Sequence, residues 1–118
     1  MNKNLLLIIL GTVIIIGGVF LLNNKTPESE GTILFYGEGC SHCKIVEDFI
    51  SQNKVEDKVK FTRLEVFNNK DNSDLLTKKA ISCNIDISQG VGVPFLWDGK
   101  NCLVGDVDIV KFFEDKIK

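Results

Sequence analysis

Ile33-Leu34-Phe35-Tyr36-Gly37-Glu38-Gly39-Cys40-Ser41-His42-Cys43-Lys44 decides how the rest of the chain is read. An apolar run of four meets a turn carrying two glycines, and a cysteine pair follows at once. Beyond it Ile45, Val46, Phe49 and Ile50 recur at helical spacing over a helix from Ser41 to about Asn53. The local order is therefore strand, tight turn, cysteine pair, helix. A cysteine at a helix N-terminus meets unpaired backbone N–H groups and the positive end of the helix dipole. Both favour the thiolate, so Cys40 is the expected nucleophile. Cys43 lies about one helical turn on, on the same face, where a disulfide to Cys40 can close and reopen. A Cys-x-x-Cys pair is also half of a zinc knuckle, so metal binding stands as the rival chemistry.

Working outward, the segment Lys58–Phe67 is a second strand with Val59, Phe61, Leu64 and Val66 as apolar members. The slip in spacing between Phe61 and Leu64 allows a bulge or a change of face. Asn68–Asp74 is a polar turn. A second helix runs from about Ser73 to Cys83, with Leu75, Leu76, Ala80 and Cys83 inward. Asp86–Gly92 is a loop. Val93-Pro94 leads into Phe95-Leu96-Trp97, and Asp98-Gly99-Lys100 turns the chain into Cys102-Leu103-Val104, a strong hairpin signal. The last helix begins at Asp106, a good N-cap residue, with Ile109, Val110, Phe113 and Ile117 on one face. The order β-α-β-α-β-β-α predicts an α/β domain: a parallel pair extended by an antiparallel hairpin, a mixed four-stranded sheet with helices on both faces.

The N-terminus is different. Leu5 to Leu22 is an unbroken uncharged run that would span roughly 27 Å as a helix, close to the hydrocarbon thickness of a bilayer. It is longer than the usual core of a cleaved signal and lacks an Ala-x-Ala site, so an uncleaved transmembrane helix is expected. The short N-terminal tip, residues 1–4 with Lys3, most simply stays inside. A single-pass membrane protein results, with its domain outside the cytoplasm. Residues 23–30 are a polar tether containing Pro27, and residues 31–118 form the folded domain. The 118-residue chain has 14 basic and 16 acidic residues and a net charge of −2, which offers nothing to nucleic acid.

With Cys40-Ser41-His42-Cys43 and Val93-Pro94 both in place, residues 31–118 resemble the thioredoxin superfamily, in its compact glutaredoxin-like form. The Gly99–Asp106 segment resembles that family's last hairpin and the Gly-Asp start of its last helix. The resemblance implies a thiol–disulfide oxidoreductase. Cys40 forms a mixed disulfide with substrate, and Cys43 resolves it. Pro94 is a cis proline facing that disulfide, and Val93 offers backbone to a substrate strand. It also implies that the cis peptide blocks metal capture by the thiols. Ser41-His42 is closest to the Pro-His of periplasmic disulfide oxidases, and His42 would steady the Cys40 thiolate. Ser41 starts the helix.

The chain departs from the family in three ways. Leu34 stands where thioredoxins carry a buried acid in the first strand. Glu38 is nearby, on the exposed turn, as a weaker candidate for handling protons. No glutathione site is evident, and the Ser41-His42 dipeptide matches neither thioredoxins nor glutaredoxins. Tyr36 and Trp97, single aromatics near strand ends, read as packing residues.

Cys83 and Cys102 admit a second disulfide, two separate buried thiols, or an electron relay to the first pair. No cofactor is required, because the dithiol itself carries two electrons. The expected partners are proteins bearing cysteines and a membrane or soluble redox partner, besides the lipid bilayer around Leu5–Leu22. Disulfide donation and reduction, for instance of cysteines awaiting haem, are both open. A non-enzymatic module, binding metal through its cysteines or holding a partner on a thioredoxin-like surface, is the alternative class.

Overall fold

Strand β1 (Ile33–Tyr36) runs through the middle of the sheet, and its composition explains why. Ile33, Leu34 and Phe35 are all buried, as in a strand with apolar cover on both faces. The computed structural model describes residues 2–4, 8 and 31–118. After β1 come α1 (Ser41–Gln52), a 3-10 turn (Val55–Asp57) and β2 (Thr62–Glu65). Next are α2 (Lys70–Ser82), β3 (Phe95–Trp97), β4 (Cys102–Val104) and α3 (Asp106–Ile117). The strand order is β2-β1-β3-β4. β1 is parallel to β2 and antiparallel to β3, and β3 and β4 form an antiparallel hairpin. The arrangement agrees with a thioredoxin-like α/β fold.

Alternation along the strands divides the core in two. On one face Leu34 and Leu96 meet Val46 and Ile50 of α1, Val55, and Ile109 and Phe113 of α3. On the other, Ile33, Phe35 and Phe95 meet Val66 and the α2 residues Leu76 and Ala80. Phe35 and Phe95 pack edge to face at 5.9 Å between ring centres. Helices thus cover both faces, α1 and α3 on one and α2 on the other.

Two details differ from the sequence-based expectations, and the open alternative in β2 is decided between them. Helix α2 starts at Lys70, not near Ser73. The Asn69 side chain accepts from the Asn72 N–H at 3.1 Å, so most of the polar run is the capped first turn of the helix. Strand β2 has no bulge. It pairs with β1 residue for residue from Thr62 to Glu65. Phe61 packs on the α1/α3 face, whereas Leu64 and Val66 pack on the α2 face, so the slip in spacing is a change of face. Finally, Asp106 is not an N-cap. Gly105 holds that position with φ 95° and ψ 156°, a conformation open essentially to glycine alone, and Asp106 is the first residue of α3. Its carboxylate is used elsewhere.

Among the described residues no helix is long and apolar enough to cross a membrane. The expected anchor at 5–22, apart from Ile8, and the tether at 23–30 lie outside the described residues.

Candidate active site

Cys40 sits where β1 hands the chain to α1. The turn is closed by the Cys40 N–H donating to the Gly37 carbonyl at 3.2 Å, and Gly39 takes φ 79° just before the cysteine. Cys40 is the N-cap of α1, in an extended conformation, and its sulfur accepts from the Cys43 N–H at 3.1 Å. The cap that Ser or Asp usually provides is here a cysteine sulfur, which takes up one orphan donor of the helix end.

Cys40 and Cys43 form a disulfide with Cα atoms 5.2 Å apart. Their surroundings differ. Cys40 is half-exposed, whereas Cys43 is 3% exposed and faces inward from α1. An incoming thiolate can therefore reach Cys40 and not Cys43.

The Val93-Pro94 peptide bond is cis. It brings the Val93 carbonyl oxygen to 3.7 Å from the Cys40 sulfur, across 53 residues of sequence. In the disulfide this is a contact; a reduced Cys40 thiol can donate across it. Val93 precedes β3 and lies outside the register in which β1 and β3 pair. Pro94 is fully buried beneath it, and its carbonyl accepts from the Gly105 N–H at 3.0 Å, which ties the cis loop to the start of α3.

His42 and Ser41 are both exposed on the first turn of α1. The His42 Nδ1 lies 2.9 Å from Oδ1 of Asp106. Nothing in the linear sequence marks this pair, since 64 residues separate its members. The Gly-Asp start of α3 was visible, but not its partner.

On the other side of the disulfide is an open groove of about 580 Å³, lined by Tyr36, Cys40, Lys44, Glu47, Asp48 and Arg63 among others. It is a charged groove with internal pairing: Lys44 reaches Asp48 at 2.9 Å, and Arg63 reaches Glu56 at 2.5 Å and Glu47 at 3.7 Å.

The turn before Cys40 is held from outside by Glu65, a residue the sequence did not single out. Its carboxylate accepts from the backbone N–H groups of Phe67 and Asn68, each at 2.8 Å, and of Glu38 at 3.2 Å. Partial burial pushes the Glu65 carboxyl up, but these three donors outweigh it, and its pKa falls below the ordinary glutamate value. Glu38, the candidate proton handler, instead directs its carboxylate to the Asn68 amide at 3.3 Å.

The second pair of cysteines is also a disulfide, Cys83–Cys102, with Cα atoms 6.2 Å apart. It links the C-cap of α2 to the first residue of β4. Cys102 pairs with Trp97, which pairs with Ile33 at the opposite end of β1 from the Tyr36 end that leads to Cys40. The two disulfides therefore sit at opposite ends of the sheet, and the four cysteines do not converge as a tetrahedral metal site requires. Trp97 packs on the α2 core under the Lys79 ammonium, 4.6 Å from its ring centre, and Tyr36 is half-buried at the groove.

No protein-family model and no curated protein matches the chain. Among solved structures it is similar to oxidized glutaredoxin 2 from Chlamydomonas reinhardtii. The two are 20% identical over 71% of each chain, with a TM-score of 0.47.

Proposed function

We propose that this protein is a thiol–disulfide oxidoreductase, tethered to a membrane by residues 5–22 and acting outside the cytoplasm on cysteine-bearing proteins. One observation carries the reading: a half-exposed Cys40 at the N-cap of α1, disulfide-bonded to a buried Cys43, beneath the carbonyl of a cis Val93-Pro94. In the oxidising direction a substrate thiolate attacks the Cys40 sulfur and breaks the Cys40–Cys43 bond. Cys43 leaves as the thiolate, which takes up a proton. The substrate's second thiolate then displaces Cys40. The substrate departs with a disulfide, and its two electrons stay on the Cys40–Cys43 dithiol. The reducing direction is the same path reversed, with Cys40 attacking and Cys43 resolving. Val93 is placed to meet substrate backbone, and the helix N-terminus favours the Cys40 thiolate as attacker or leaving group.

The extracytoplasmic site is supported by the uncharged run 5–22, by the short tip with Lys3, and by a second disulfide remote from the first, of the kind that persists in oxidising compartments. The test is Cys43→Ser. The resolving thiol is then gone and Cys40 remains. Mixed disulfides with protein substrates should accumulate in oxidising extracts of the native membrane, reversible by dithiothreitol and lost in the Cys40→Ser/Cys43→Ser double variant. Absence of any such adduct, with wild type inactive in exchange, would leave only a partner-holding role.

A further inference from the structure

We propose that Asp106 is a positioning residue that sets the redox poise of the Cys40–Cys43 couple by holding His42 in the disulfide state. The inference rests on the exchange reading above. His42 is two residues from Cys40 and 67% exposed, so nothing in the packing of α1 fixes its ring. What fixes it is the Asp106 carboxylate, 20% exposed on the first turn of α3. Asp106 is itself anchored. The preceding residue is Gly105, whose N–H is bonded to the Pro94 carbonyl beside the disulfide. The ring is thus tied, through α3 and the cis loop, to the far wall of the same site.

The sulfur of Cys40 meanwhile takes its hydrogen bond from the Cys43 N–H. In this state the His42 Nδ1 is committed to a carboxylate, while the sulfur is uncharged and needs no ring donor. Reduction changes that. Two glutathione thiols supply two electrons and leave as glutathione disulfide. The Cys40–Cys43 bond breaks, Cys43 keeps one proton as a thiol, Cys40 becomes a thiolate, and the second proton passes to solvent. A new anion now lies two residues from a ring that Asp106 already holds. Carboxylate and thiolate compete for one donor, so Asp106 favours the disulfide state and makes the protein a weaker oxidant than its Ser-His dipeptide alone would give.

The competing groups are solvent-exposed, where a charge pair is worth little. The expected effect of Asp106→Asn is therefore about a two- to fivefold shift of the glutathione equilibrium constant toward the dithiol. Asn keeps the size of the side chain and removes the charge.

The experiment is equilibration of the full chain, in mild detergent, with glutathione redox buffers for four forms: wild type, Asp106→Asn, His42→Ala, and the double variant. The inference expects the shift with Asp106→Asn in the wild-type background and its disappearance in the His42→Ala background. An equal shift in both backgrounds would mean that the carboxylate acts on the thiolate directly, and would overturn the positioning role. So would no shift, or a shift toward the disulfide, with Asp106→Asn. A wild type with no reversible couple would instead overturn the exchange reading itself. A second readout needs no variant. His42 is the only histidine in the chain, so its ring nitrogen resonances are unambiguous. They should move on reduction as the Asp106 bond is contested, and ring signals identical in the two redox states would contradict the competition.

Discussion

Cys40 and Cys43 are three residues apart and carry opposite burdens. The first is a cap, half-open to solvent, with the Cys43 N–H directed at it. The second is a buried core-facing residue of α1. The place of Cys40 at the helix start follows from the strand-to-helix turn and was legible in Gly39-Cys40-Ser41-His42-Cys43 alone; the burial of Cys43 was not, because it depends on how α1 packs on the sheet. Glu65 shows what was not legible. Its carboxylate ties the turn before Cys40, by one backbone N–H bond from Glu38, to the β2–α2 loop, by two from Phe67 and Asn68, and so depends on where that loop comes to rest. A sequence of alternating residues carries no sign of that. Because the folded-state pKa lies below the ordinary glutamate value, the stabilisation is present in full above the unfolded value. It is lost as the pH falls through the folded one. We expect Glu65→Gln to lower the melting temperature at pH 7 and to reduce its dependence on pH below about 4.5, as read by thermal unfolding across that range. An unchanged acid limb would show that other carboxylates set it.

At the level of elements, the joints matter more than the elements themselves. The strands and helices follow from apolar periodicity, and their order was evident from it. The helix starts were less so. Asn69 caps α2 inside a stretch that reads as a polar turn, because Asn and Asp serve turns and caps equally. We expect Asn69→Ala to cost about 1 kcal/mol by urea unfolding. Gly105 is the sharper case. Its φ of 95° with ψ of 156° lets the hairpin enter α3 while its N–H reaches the Pro94 carbonyl. Any side chain there is strained. Gly105→Ala should cost about 1–3 kcal/mol, and it should slow thiol–disulfide exchange because the cis loop loses its anchor. Loss of stability with exchange rates unchanged would separate α3 from the site.

The whole domain is a sheet with two thin cores and a disulfide at each end. Phe113 lies between α1, α3 and the sheet and contacts Phe61 at 4.9 Å between ring centres. Phe113→Ala should cost about 3–5 kcal/mol in denaturant unfolding. Cys83–Cys102 closes the α2-to-β4 segment, 19 residues apart in sequence, so replacing both by serine should cost about 3 kcal/mol while leaving exchange by Cys40 and Cys43 intact. Loss of exchange in that variant, with the fold retained, would restore the relay that the separation of the two disulfides argues against. Sequence alone left these cysteines open because pairing depends on a distance between α2 and β4 that no local pattern encodes.

The measurement that bears most directly on the function is the reduction potential of the Cys40–Cys43 couple in the full chain, with free thiols counted at each poise. Exchange chemistry requires a reversible two-electron couple between about −120 mV, as in strong disulfide donors, and about −270 mV, as in thioredoxin. A value near the upper end makes the protein a donor, and one near the lower end makes it a reductant. Two thiols released only below about −300 mV, with none above, would mark Cys40–Cys43 as a structural staple and contradict the oxidoreductase reading.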